Sequence, residues 1–221
     1  GLAPCLSSAV GGLIERYTEI APEVELIAYT DGYQGLLLGQ SISITPEIRA
    51  KAGLLHQYGG SPIGNSRVKL TNVKDAVKRG LVKEGEEPLD VAARQLAADG
   101  VDVLHTIGGD DTNLSARDLA LHLRKQAREL LVVGLPKTID NDLDHTVVTF
   151  GFNTAVYFAT ECIDRLHTTA HSHQRIMVIE VMGRYAGWIA LHAGIASTAD
   201  AILIPEIPYD INKVAEKIRQ R

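Results

Sequence analysis

Gly108-Gly109-Asp110-Asp111-Thr112-Asn113 places two glycines and two carboxylates where an apolar run gives way to a helical pattern. Glycine lets a backbone come close to a ligand, and a helix N-terminus offers unpaired N–H groups to an anion. Asp110 and Asp111 would repel a phosphate there unless a cation stood between. A divalent metal resolves that conflict, and Mg²⁺ is the candidate, because hard oxygen ligands plus substrate phosphates are its usual coordination. The competing reading is a helix capped by aspartate, which explains one carboxylate and leaves the full run unexplained.

Pro136-Lys137-Thr138-Ile139-Asp140-Asn141-Asp142 follows the next apolar run and supplies a cation, a hydroxyl and carboxylates. An aspartate here could accept the proton of an attacking alcohol, as phosphoryl transfer to a hydroxyl requires. Alone, Asp-Asn-Asp is most often a turn; its place beside the first loop is what favours chemistry. Gly59-Gly60-Ser61-Pro62-Ile63-Gly64-Asn65-Ser66-Arg67 adds glycines, hydroxyls and a guanidinium suited to phosphate contact. His173-Gln174-Arg175 precedes another apolar run, and Met182-Gly183-Arg184 ends it, where an arginine can stabilise developing negative charge. Taken singly, each arginine reads as a surface residue.

The elements that must position these loops alternate along the chain. Helical patterns cover residues 8–20, 46–57, 88–98, 112–128, 153–168 and 185–196, with a further helical start at 214–221. Thr45 is the expected N-cap of the second, with Pro46 in its first turn. Strand patterns cover 24–29, 101–107, 130–135, 175–181 and 201–204, while 58–67 is irregular and 68–85 is charged and ambiguous. Short apolar runs alternating with helices predict a mostly parallel α/β sheet covered on both faces, with ligands at the carboxyl ends of the strands. The natural division falls near residue 150. No strand pattern precedes the opening turn, and the last helix has nothing to pack against, so both ends are expected to be incomplete.

Composition narrows the classes. The 45% hydrophobic content and mean hydropathy of +0.02 allow a buried core. Net charge is −5 with no basic block, which argues against nucleic-acid binding. No apolar stretch approaches the ~20 residues of a membrane span. Cys5 and Cys162 form no C-x-x-C pattern, so a reducing, cytoplasmic setting is expected. His167, His171 and His173 lack the further ligands of a zinc set. Trp188, Ile189, Leu191 and Ile195 read as a core-facing helix stripe. A dinucleotide-binding dehydrogenase would need a Gly-x-Gly-x-x-Gly that is not found.

Together the segments resemble the phosphofructokinase family over nearly the whole chain. Besides the loops above, Gly1-Leu2-Ala3-Pro4, Gly32-Tyr33-Gln34-Gly35-Leu36, Gly151-Phe152-Asn153-Thr154-Ala155 and Pro205-Glu206 match its motifs in order. The resemblance implies two Rossmann-like three-layer α/β/α domains with mostly parallel sheets. Residues 1–150 would form the donor- and metal-binding domain, and 151–221 the start of the sugar-phosphate domain. Asp140 resembles the general base that deprotonates the 1-hydroxyl of fructose 6-phosphate, and Arg184 the transition-state arginine. Thr138, Ile139, Asp142, Met182, Gly183 and Glu206 resemble sugar-site residues. Arg175 resembles an arginine that reaches the 6-phosphate across a subunit boundary, which implies a homodimer or homotetramer. Gly1, Arg67, Gly109, Asp111 and Lys137 fall at donor-site positions, and Asp110 at the Mg²⁺ ligand.

Two positions bear on the donor. ATP-dependent members carry Gly after Gly-Gly-Asp and before Thr-Ile-Asp-Asn-Asp; here these are Asp111 and Lys137, similar to the pyrophosphate-dependent branch. A side chain and charge at 111 would occupy the space of the α-phosphate of ATP. Like charges ~4 Å apart repel by about 4 kcal/mol at an effective dielectric near 20, roughly a thousandfold in affinity. The rival readings are an ATP-dependent enzyme and a non-catalytic regulatory copy of the fold. The latter is expected to lose the base or metal carboxylate, and both Asp140 and Asp110 are retained.

Overall fold

The computed structural model describes residues 4–220, with Pro4 described in its backbone only. Gly1, expected at the donor site, lies outside the described residues. The chain packs as two compact units, one reaching Lys137 and the other beginning at Thr138.

In the first unit, α1 (Pro4–Ile20) starts earlier than the periodic pattern, since proline is pre-organised for a first helical turn. Its Leu6, Val10 and Ile14, four residues apart, are buried against Ile44 and Ala52. β1 (Ile27–Tyr29) and β2 (Ser41–Ser43) are antiparallel, Ile27 facing Ser43, and flank the short helix α2 (Tyr33–Leu38). Neither α2 nor β2 was expected from the sequence, and β1 is shorter than 24–29. The expected helix 46–57 divides into α3 (Pro46–Ala50) and a 3₁₀ turn (Ala52–Gln57). Thr45 does cap α3, accepting from the Ile48 N–H at 3.4 Å.

After α4 (Val73–Lys78) comes α5 (Pro88–Ala98), with proline again at its start. β3 (Val103–Gly108), α6 (Asp110–Lys125) and β4 (Leu131–Thr138) form a parallel crossover. The register runs from Val103 opposite Leu131 to Gly108 opposite Pro136, and β4 continues to Thr138. Leu36, Leu70, Leu96, Leu119 and Leu123, all at most 1% exposed, form the core beneath. Burial of each contributes about 1.5–3 kcal/mol. The two sheets do not pair with each other. A cavity of about 640 Å³ is lined by both, including Ile27, Tyr29, Leu104 and Thr106.

The second unit contains β5 (Phe150–Gly151), α7 (Phe152–His173), α8 (Trp188–Ala196) and α9 (Ile211–Arg219). Ile139, Phe152 and Ile189 make its core. The expected strands 175–181 and 201–204 do not form. A strand needs a ladder partner, and neither segment finds one among the described residues; Ile176 is 65% and Val178 91% exposed. The stripe on α8 is also corrected. Ile189 and Ala193 are buried, one turn apart, whereas Trp188 and Ile195 lie on the open side.

Candidate active site

In the first unit, candidate residues lie where β3 gives way to α6. Gly108 closes β3 under such crowding that a Cβ would lie 2.3 Å from Thr112 Oγ1. Gly109 then serves as N-cap of α6, which opens on Asp110 and Asp111. The Asn113 amide donates to the carbonyls of Gly108 and Gly109 at 2.9 and 3.0 Å, locking the turn. The Tyr33 hydroxyl donates to the Thr112 carbonyl at 2.9 Å. Burial pushes that hydroxyl well above the ordinary tyrosine range, so it stays protonated in this role.

The Asp110 carboxylate has no hydrogen-bonding or ionic partner among the described residues. Asp111 is paired: its Oδ1 lies 2.7 Å from Lys69 Nζ. In the parallel register Gly108 faces Pro136, the residue before Lys137 in β4. Arg67 is exposed on the segment leading to Lys69. Among the described residues no group of three or more His, Cys, Asp or Glu could hold a metal ion. A cation at Asp110 would therefore draw its remaining ligands from phosphate and water, which is how Mg²⁺ is commonly bound.

In the second unit, candidate residues lie around the turn after β4. Thr138 and Ile139 are 9% and 8% exposed. The Asp140 N–H donates to Thr138 Oγ1 at 3.2 Å, and that hydroxyl donates to Asp140 Oδ2 at 3.4 Å. Asp140 Oδ1 is enclosed and has no hydrogen-bond partner. A buried carboxylate oxygen left unpaired is costly unless something donates to it. A carboxylate oxygen without a partner can accept a hydrogen bond or a proton.

Asn141 holds the far side of the loop. In the left-handed region at φ 54°, its Oδ1 accepts from the Thr149 N–H at 2.9 Å. The Thr149 hydroxyl in turn donates to the Thr138 carbonyl at 2.7 Å. Asp142 opens onto a cavity of about 540 Å³ that Trp188 and His192 also line.

Val181 packs on the cluster of Ile139, Phe152 and Ile189, and the Met182-Gly183-Arg184 turn follows it in the chain. Gly183 has φ 136°, and a Cβ there would meet the Ala186 carbonyl oxygen at 2.2 Å. Arg184 follows at φ 52° and stacks over the Tyr185 ring at 4.7 Å. Glu206 Oε1 accepts the Gly187 N–H at 2.7 Å, at the start of α8.

Arg175 is not brought to this group. It sits past the far end of α7, where the Arg175 N–H closes onto the Ala170 carbonyl at 3.0 Å. The 22 residues of α7 span about 33 Å, and Phe152 at the other end is the one that touches Ile139. His167, unlike a solvated histidine, lies 2.7 Å from the Ser197 carbonyl and ties α7 to the end of α8.

Lys69 and Thr149 were not among the residues singled out from the sequence, and Asn141 was read only as part of the Thr138–Asp142 motif. For Lys69 the available signal was alternation: Val68 and Leu70 are apolar, which turns Arg67 and Lys69 to one face. Nothing in the sequence marked Thr149.

The family model for phosphofructokinase matches residues 1–221, and the chain belongs to that family. Two relatives show where in the family the similarity lies. The chain is 48% identical over 241 residues to a pyrophosphate–fructose 6-phosphate 1-phosphotransferase of Methylotuvimicrobium alcaliphilum, covering all of this chain and 59% of that one. It is also 48% identical over 197 residues to ATP-dependent 6-phosphofructokinase 2 of Clostridium perfringens, covering 89% of this chain and 51% of that one. The chain thus spans little more than half the length of these relatives. Among solved structures it resembles the pyrophosphate-dependent phosphofructokinase of Marinobacter aquaeolei, with a TM-score of 0.78 and 23% identity, over 99% of this chain and 54% of the other. That likeness is one of fold.

Proposed function

We propose that the full-length protein transfers a phosphoryl group from pyrophosphate to the 1-hydroxyl of fructose 6-phosphate, giving fructose 1,6-bisphosphate and phosphate, reversibly, as a cytoplasmic step of glycolysis. The observation that supports the reading is the parallel register of β3 and β4, in which Gly108, two residues before Asp110, lies opposite Pro136, one residue before Lys137. The N-terminus of α6 and the Lys137 ammonium hold the donor as an anion. Asp111 fills the space an α-phosphate would need.

Asp110 would hold Mg²⁺, and the ion would offset charge on the transferring group. Asp140 Oδ1 takes the proton of the 1-hydroxyl as its oxygen bonds to phosphorus and the bond to the departing phosphate breaks. Thr138 fixes that carboxylate. Ile139 and Asp142 shape the loop around it, and Arg184 stabilises the charge that develops, presented by the Met182–Gly183 turn. Glu206 keeps one carboxylate oxygen for a sugar hydroxyl, the other being committed to Gly187.

Residues 1–150 serve the donor and metal, with Gly1, Arg67 and Gly109 at its phosphates; 151–221 begin the sugar-phosphate part. Arg175, about a helix length away, serves the 6-phosphate of a neighbouring subunit in a homodimer or homotetramer. ATP as donor is the second reading, favoured by the identity to the Clostridium enzyme. Assay of the full-length protein on fructose 6-phosphate with each donor separates them. Turnover with pyrophosphate supports the proposal, and turnover with ATP alone overturns it.

A further inference from the structure

Lys69 lies outside every motif that marks the chain as a phosphofructokinase, yet it makes a direct ion pair at the donor loop. The segment leading to it alternates: Val68 and Leu70 are 6% and 1% exposed, anchored in the core with Leu104 and Leu119. In an extended chain that alternation sends Arg67 and Lys69 out on the opposite face. Lys69 Nζ reaches Asp111 Oδ1 at 2.7 Å, across 42 positions of sequence. Both side chains are about half exposed, 47% and 63%. A pair so open to water adds little to stability. Its consequence is local, in the charge and position of one carboxylate.

We infer that Lys69 is a positioning residue for the phosphoryl donor, holding Asp111 in place and offsetting its charge so that pyrophosphate can bind beside it. The inference rests on the donor reading above. Asp110 and Asp111 are adjacent at the helix N-terminus, and a dense anion meets both. A metal ion at Asp110 answers one carboxylate. Lys69 answers the other from the protein itself. With its charge offset, Asp111 excludes a nucleotide by the volume of its side chain more than by repulsion. This changes the expectation drawn from charge alone. Asp111→Asn, which keeps the volume, should retain discrimination against ATP, and Asp111→Gly should lose it.

The test is a double-mutant cycle in the full-length enzyme, with kcat and KM for pyrophosphate measured for wild type, Lys69→Met, Asp111→Asn and the double variant. Lys69→Met alone exposes the uncompensated Asp111 carboxylate to the donor. The KM for pyrophosphate should rise about tenfold, corresponding to roughly 1.4 kcal/mol, with kcat little changed. Adding Asp111→Asn removes the stranded charge and should restore most of that KM. Thermal melts close to wild type show that folding is intact.

A defect that persists undiminished in the double variant would mean that Lys69 meets phosphate directly, and an unchanged KM in Lys69→Met would mean that it has no part in donor binding; either overturns the inference. Wild type serves as the control for the donor reading. If it turns over ATP and not pyrophosphate, that reading fails on its own, and the same cycle run on the KM for ATP still decides whether Lys69 and Asp111 are coupled.

Discussion

Replacing Asp140 by Asn removes a proton acceptor and leaves the shape of the side chain. Two observations set the expected outcome. Oδ1 is enclosed without a partner, and Oδ2 lies 3.4 Å from the Thr138 hydroxyl. An asparagine can keep the Thr138 contact through its carbonyl oxygen, turning its NH₂ to where Oδ1 stood. The loop is also pinned by bonds that do not involve this side chain, from Thr149 to Asn141 and to the Thr138 carbonyl. The fold should therefore survive. On the proposed mechanism what is lost is the base, and a positioned general base contributes about 10²–10⁴ in rate. At 1.36 kcal/mol per tenfold, that is roughly 2.7–5.4 kcal/mol of transition-state stabilisation. The assay is steady-state formation of fructose 1,6-bisphosphate by the full-length enzyme, with a melt to confirm folding. The expected result is a fall in kcat within that range and KM values within about threefold of wild type, the signature of an interaction made in the transition state. A folded Asp140→Asn enzyme with near wild-type kcat would refute the assignment of Asp140 as base.

Three further outcomes follow from the same geometry. Replacing both Asp111 and Lys137 by Gly should lower the ratio of kcat/KM for pyrophosphate over ATP by at least about tenfold, read by assaying both donors on the double variant. Gly183→Ala forces φ 136° on a residue with a Cβ, against the Ala186 carbonyl; it should cost about 1–3 kcal/mol in chemical denaturation and reduce activity through the displaced Arg184. His105 lies 2.9 Å from the Tyr17 hydroxyl, and burial lowers its pKa from the usual value near 6.5. The unfolded chain then binds the proton more readily, so stability is full above about pH 6.5 and declines as pH falls below it. Urea melts from pH 8 to 5 should show that decline, and His105→Gln should flatten it.

Much of the first unit was legible in the sequence because its signals are local. Pro88 at a helix start and a clear apolar period fix α5 at the residues expected, and Thr45 caps α3 as its type requires. The turns at Gly108 and Asp140 also fall where an apolar run meets glycine and aspartate. Other features depend on partners that a linear pattern does not show. An apolar run such as 175–181 looks the same whether or not a neighbouring strand is there to pair with it. The six residues of α2 are too few to establish a period. Lys69 and Asp111 meet only through tertiary packing, and the hold of Asn141 on Thr149 depends on a left-handed backbone that Asn tolerates but does not announce. The positions of the aspartates at the strand ends were readable from type and place, while Lys69 and Thr149, which contact the two loops, were not.

The central claim is that this site takes its phosphoryl group from pyrophosphate. The most direct measurement is ³¹P NMR of the full-length enzyme with fructose 6-phosphate, Mg²⁺ and equimolar pyrophosphate and ATP in one tube. The account predicts that the pyrophosphate resonance declines as phosphate and fructose 1,6-bisphosphate appear, with the ATP resonances unchanged. Growth of ADP while pyrophosphate persists would contradict it.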